Sequence, residues 1–268
     1  MFRLVQGSGS ALGMLVGGRV LPRDRRLEPE RARALDLPGL VLLASAVSLL
    51  TESRLARRGG APLIAPRVLC HPGLGLAVLW IMAVMAVNGG FLFALTLHVQ
   101  GGLGFSAPRA GLTFVPIAVV FGAVGLTWRR WPAAWQRALT PLGFVITMPS
   151  VAGVGLAFEG GGHRGAVMYV AYVGVGAGLA LAFSPSLTRA PATVRPEDAA
   201  DASGLPATVT QLGQLLGVAV FGTLFLNRLE SLGAPGAYTS AEALLACMFA
   251  LAGTAAVGAV SGLVLRRR

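Results

Sequence analysis

Six apolar stretches follow one another in this chain, at 74–97, 110–128, 139–158, 165–187, 204–226 and 241–265, and its arginines gather in every second gap between them. A helix rises 1.5 Å per residue, so about 20 apolar residues cross a hydrocarbon layer ~30 Å thick. Each stretch meets that requirement. Arg54, Arg57, Arg58 and Arg67 precede the first stretch, and Arg129, Arg130 and Arg137 follow the second. Arg189 and Arg195 follow the fourth, and Arg266, Arg267 and Arg268 follow the sixth. The alternate gaps hold only Arg109, Arg164 and Arg228. Twelve arginines against three on alternate sides is the pattern of the positive-inside rule. It predicts a multi-pass protein of the cell inner (plasma) membrane with a cytoplasmic C-terminus. The fold class expected is all-α, a polytopic transmembrane helical bundle with six spans.

Composition agrees. The 268 residues carry only 12% charged side chains, against about 25% in soluble domains, and their mean hydropathy is +0.71. The net charge of +11 comes from 22 basic residues, all arginine, and those flanking the six stretches act as an orientation signal. No basic, aromatic-rich patch points to nucleic acid. Cys70 and Cys247 are far apart, as are His71, His98 and His163, so neither a disulfide framework nor a metal site is expected. Nothing calls for a cofactor. Arg3 could open a signal peptide, but Gly7-Ser8-Gly9-Ser10 breaks the apolar run that one requires. Ser203-Gly204 has no histidine placed to serve it, which argues against an intramembrane hydrolase and against an enzyme.

Ahead of the six stretches the chain divides into 1–18, an apolar glycine-rich helix remnant, and 19–73, charged cytoplasmic linkers around a short membrane segment at 37–50. Residues 74–268 form the six-helix bundle. Residues 19–36 hold six arginines and four carboxylates and belong in water, whereas 37–50 is a largely apolar stretch of only 14 residues, short for a span. If 37–50 crossed fully, the arginine-rich segments flanking it would lie on opposite faces. It therefore dips in and returns, lies in the interface, or has lost a neighbouring helix.

Within the spans, Asn88 and Gly89-Gly90 are expected to interrupt the first, and Pro116 to kink the second. Gln100 to Pro108 reads as a turn-rich outer loop. Pro196-Glu-Asp198 suits a helix N-terminus. Gly174, Gly176 and Gly178 thin the fourth span. Gly9, Gly13 and Gly17, Gly213 and Gly217, and Gly258 and Gly262 recur at four-residue spacing, which lets helix backbones approach. The spans have no carboxylate at central depth, Glu159 and Glu242 lying near their ends, and His98 is the candidate that titrates near neutral pH. Asn88, Thr208, Gln211 and Gln214 either face a cavity or bond between helices; with His98 and Gln100 they are the substrate-pathway candidates. Phe225 is expected to face lipid, and Cys247 to be buried.

Three segments together resemble the major facilitator superfamily, in its fourteen-helix drug:proton antiporter branch of multidrug exporters. Gly9-Ser-Ala-Leu-Gly13-Met-Leu-Val-Gly17-Gly18 is similar to the antiporter motif of the fifth helix, with Gly13-Met14 where Gly-Pro is usual. Leu97-His-Val-Gln100 through Gly111-Leu-Thr-Phe-Val-Pro116 is similar to the ninth helix, outer loop and tenth helix, where the His98 position is commonly aromatic. Arg195-Pro-Glu-Asp198 through Gln211-Leu-Gly213 to Gly222-Thr223 resembles the start of the thirteenth helix, although Ala207 and Thr210 stand where Asn and Arg are usual. Asp36-Leu-Pro-Gly39 resembles the start of the seventh.

The resemblance matches the latter part of the family, giving a facilitator-like C-terminal half plus one or two short N-terminal apolar segments. Segments matching the first four helices, the sixth and the eighth are absent. It implies export of small amphiphilic compounds by alternating access, with protons as coupling ion and a missing N-terminal helix bundle as partner. A truncated, non-transporting membrane protein or helix-bundle interaction partner is the alternative expectation.

Overall fold

The computed structural model describes residues 72–136, 138–161, 165–192, 199–233 and 236–265. Six long helices make up the fold: α1 (Pro72–Thr96), α2 (Ala107–Thr127), α3 (Leu139–Ala157), α4 (Gly165–Ala192), α5 (Ala199–Ser231) and α6 (Ala237–Leu265). No strand occurs among the described residues. Each helix is long and apolar enough to cross a membrane, and together they form a polytopic helical bundle. The spanning lengths are Gly75–Gly102, Ala107–Arg130, Leu139–Ala157, Gly165–Thr188, Pro206–Ser231 and Ala237–Gly262, close to the stretches read from hydropathy. The readings of Gly9, Gly13 and Gly17, of 1–18, 19–73 and 37–50, of Cys70 and of Pro196-Glu-Asp198 fall outside the described residues.

Aromatic side chains mark both ends of the bundle. Trp128, Trp131 and Trp135 cluster beside Arg129 and Arg130, whereas Tyr169 and Tyr238 lie at the end that carries Glu159. Amphipathic rings at two levels are what the two membrane–water interfaces select.

Lipid tails are as apolar as a protein core, so close van der Waals packing, more than water exclusion, holds such helices together. The glycines show where. A Cβ built on Gly213 would lie 2.7 Å from the Met82 carbonyl oxygen, and one on Gly217 would collide with the Ala86 carbonyl. Gly89 returns the contact, its Cβ position falling 2.6 Å from the Gln214 carbonyl oxygen. The α1–α5 seam, as extensive as that between α3 and α4, is thus a backbone-on-backbone contact. In α4 the glycines serve two neighbours. Gly174 and Gly178 admit Ser150 and Thr147 of α3, and Gly176 on the other side admits the backbone of Ile117 in α2. Gly258 seats the ring of Phe144, and Gly262 the ring of Pro141.

Two expectations are corrected. Asn88, Gly89 and Gly90 do not interrupt α1, which is continuous from Pro72 to Thr96. The neighbouring helix supplies the packing that offsets glycine's low helix propensity. Nor does a loop begin at Gln100. The chain continues through a π-helical turn, Leu97–Gly102, and the irregular connection shrinks to Leu103–Ser106. Pro116 lies inside α2 as expected.

Candidate transport surface

Thr208, Gln211 and Gln214 recur every three residues and so share one side of α5. Thr208 and Gln211 are exposed on the bundle surface, and Gln214 is half-buried. Asn88, half-buried on α1, borders the same seam, next to the Gly89 backbone that meets Gln214. Carboxamides along a helix face are costly against hydrocarbon. They fit a face that meets water or another protein surface. The α2 span is the least buried of the six, at 11%, and it packs chiefly on α4.

The other two pathway candidates lie elsewhere. His98 and Gln100 sit in the π-helical turn, ten or more residues beyond Asn88 and so about 15 Å along the helix axis. Gln100 is half-buried and His98 has no exposed surface. His98 Nδ1 lies 2.9 Å from Ser240 Oγ of α6, and the Ser240 hydroxyl itself donates to the Ala237 carbonyl at 3.1 Å. His98 Nε2 is buried and has no hydrogen-bond partner among the described residues. The Phe158 ring meets the imidazole edge-on, centroids 4.9 Å apart. Gly102 completes the junction, since a Cβ there would collide with Ser240 Oγ. Three chain segments converge on one imidazole.

Cys247 is buried, as expected, with its thiol 3.4 Å from the Phe221 carbonyl oxygen. Phe225 is a correction. Expected to face lipid, it is 1% exposed and belongs to the core. Ser240, Phe158 and Gly102 were not among the sequence candidates. The topology was the available signal, because it places the first turn of α6 at the same membrane face as the end of α1. Trp80 was missed likewise; its indole donates to Ser261 Oγ at 3.1 Å and joins α1 to α6 near the opposite end.

Comparison with characterised sequences gives this geometry a context. No protein-family profile matches the chain. It is 35% identical to a "probable actinorhodin transporter" of Streptomyces coelicolor, over 83% of this chain and 38% of that protein. It is 31% identical to the cephamycin export protein of Amycolatopsis lactamdurans, over 79% of this chain and 50% of that one. A puromycin resistance protein of Streptomyces alboniger is 28% identical, over 85% and 50%. The chain is related to antibiotic exporters and resistance proteins. It spans about half the length, or less, of the curated relatives it matches.

Proposed function

We propose that this chain forms one bundle of an exporter of the major facilitator superfamily, fourteen-helix drug:proton antiporter branch, which moves small amphiphilic compounds out of the cell. The observation that carries the reading is the similarity, over about four-fifths of the chain, to three proteins named for antibiotic transport, export or resistance. It rests on a bundle with six spans and on the arginine asymmetry, which favours a plasma-membrane orientation with the C-terminus in the cytoplasm. The end carrying Glu159 then faces outward.

Alternating access works by rocking one bundle against another around a shared site near the membrane midplane. The Thr208, Gln211 and Gln214 face, with Asn88, is the side we assign to the second bundle and to the pathway between the two. The segments 1–18 and 37–50 belong, on this reading, to further membrane elements joined to residues 74–268 by the charged linkers. Protons are the coupling ion the family resemblance favours. A proton site needs an ionisable group at depth, and among the described residues no carboxylate occupies the middle of a span, so the second bundle is where such a group is expected.

Antibiotic susceptibility tests the reading. A sensitive strain expressing the chain together with a matching first-half bundle should tolerate higher concentrations of at least one amphiphilic antibiotic. Unchanged susceptibility across a broad panel, with both pieces in the membrane, would count against export.

A further inference from the structure

At the end of the bundle carrying Glu159, a cleft of about 240 Å³ opens between the π-helical turn of α1, the first turns of α2 and α4, and Phe158. Its polar feature is Arg109, whose guanidinium carbon stands 3.8 Å from the centroid of the Phe105 ring. Stacking on an aromatic face holds the guanidinium plane while leaving its N–H edge free to grip an oxyanion. Among the described residues, Arg109 has no ion-pair partner and no carboxylate lines the cleft. The remaining walls used here are Leu112, Met168 and Tyr169.

The surface below the cleft is apolar. α2 and α4 run parallel and in register: Arg109 shares the cleft with Tyr169, Ile117 touches Gly176, and Arg129 reaches Thr188. Going inward from Arg109, the exposed side of α2 shows Leu112 (71% exposed) and Val119 (61% exposed). Half-exposed Tyr169 stands at the level where tyrosine marks the membrane–water boundary. A cation at interfacial depth above an apolar track matches a molecule with an anionic head and a hydrocarbon tail.

We propose that this cleft binds an anionic phospholipid, with Arg109 gripping the headgroup phosphate and an acyl chain lying along Leu112 and Val119. A zwitterionic headgroup would bring an ammonium for which the cleft offers no carboxylate. The inference is independent of transport and of which end faces outward.

Native mass spectrometry of the purified full chain, titrated with phosphatidylglycerol or phosphatidylethanolamine, tests it. The wild type should bind phosphatidylglycerol in preference, and Arg109→Gln should weaken that binding by about fivefold or more, in line with ~1 kcal/mol per interfacial arginine. Arg228→Gln removes an arginine from the same end of the bundle at a site outside this cleft, and should leave the affinity unchanged. Arg109→Lys keeps the charge and should retain part of it, which separates loss of binding from loss of fold. Inorganic phosphate at the lipid's concentration should not compete. Equal affinities for the two lipids, an unaffected Arg109→Gln, or displacement by phosphate alone would overturn the proposal.

Discussion

His98 Nδ1 and Ser240 Oγ are 2.9 Å apart although 142 residues separate them in the chain, and the pair is buried. It joins the π-helical turn that follows α1 to the first turn of α6. Removing one partner of a buried hydrogen bond leaves the other unpaired, at a cost of about 1–3 kcal/mol, whereas replacing both by apolar groups is close to neutral. Ser240→Ala is therefore expected to lower the melting temperature of the solubilised chain. His98→Phe combined with Ser240→Ala should recover most of the loss, with the phenyl ring taking over the edge-on contact to Phe158. A double variant no better than the sum of its singles would show that the pair is not coupled.

At the α1–α5 seam the constraint is space. Gly217 faces the Ala86 carbonyl so closely that even Ala must push the helices apart, and Leu more so. Overpacking of this kind costs about 1–3 kcal/mol, and in a chain of this size ~2–4 °C of melting temperature accompanies each kcal/mol. Gly217→Leu and Gly213→Leu should both show the drop, and Val220→Leu, on the exposed side of the same helix, should not. Equal effects at Gly217 and Val220 would place the seam elsewhere.

How far the sequence led can be judged at these positions. The spans were legible because a run of about 20 apolar residues has few other uses, and the Gly213 and Gly217 pair because close backbone approach demands small residues. Phe225 was misread for a reason particular to membranes. Lipid-facing and protein-facing sides of a helix are equally apolar, so α5 carries no hydrophobic stripe that tells one from the other. Asn88-Gly89-Gly90 was read as a break because glycine weakens an isolated helix, and only the neighbouring helix reveals its use. The burial of His98 was not legible, because it depends on Ser240, Phe158 and Gly102, two of them far along the chain.

Thiol labelling separates orientation from packing. Cys70 sits among the arginines that precede α1, whereas Cys247 is enclosed in α6. A membrane-impermeant maleimide should spare Cys70 in intact cells and label it in inverted vesicles, leaving Cys247 unreacted in both. Labelling of Cys70 in intact cells would reverse the orientation.

The polar face of α5 makes a different demand. Gln211 is exposed on the bundle, so Gln211→Leu should leave the stability of the isolated chain within about 0.5 kcal/mol of wild type. In an assembled exporter the same change should reduce export, since it removes a carboxamide from the face between the bundles. A loss of stability without a loss of export would move Gln211 out of the pathway.

The central claim is that this bundle works only against a second one. Energised dye efflux from an exporter-deficient strain tests it most directly, comparing the chain alone with the chain co-expressed with a matching first-half bundle. The chain alone should give no efflux, and the pair should give efflux that stops when the proton gradient is collapsed. Proton-dependent efflux by the chain alone would contradict it.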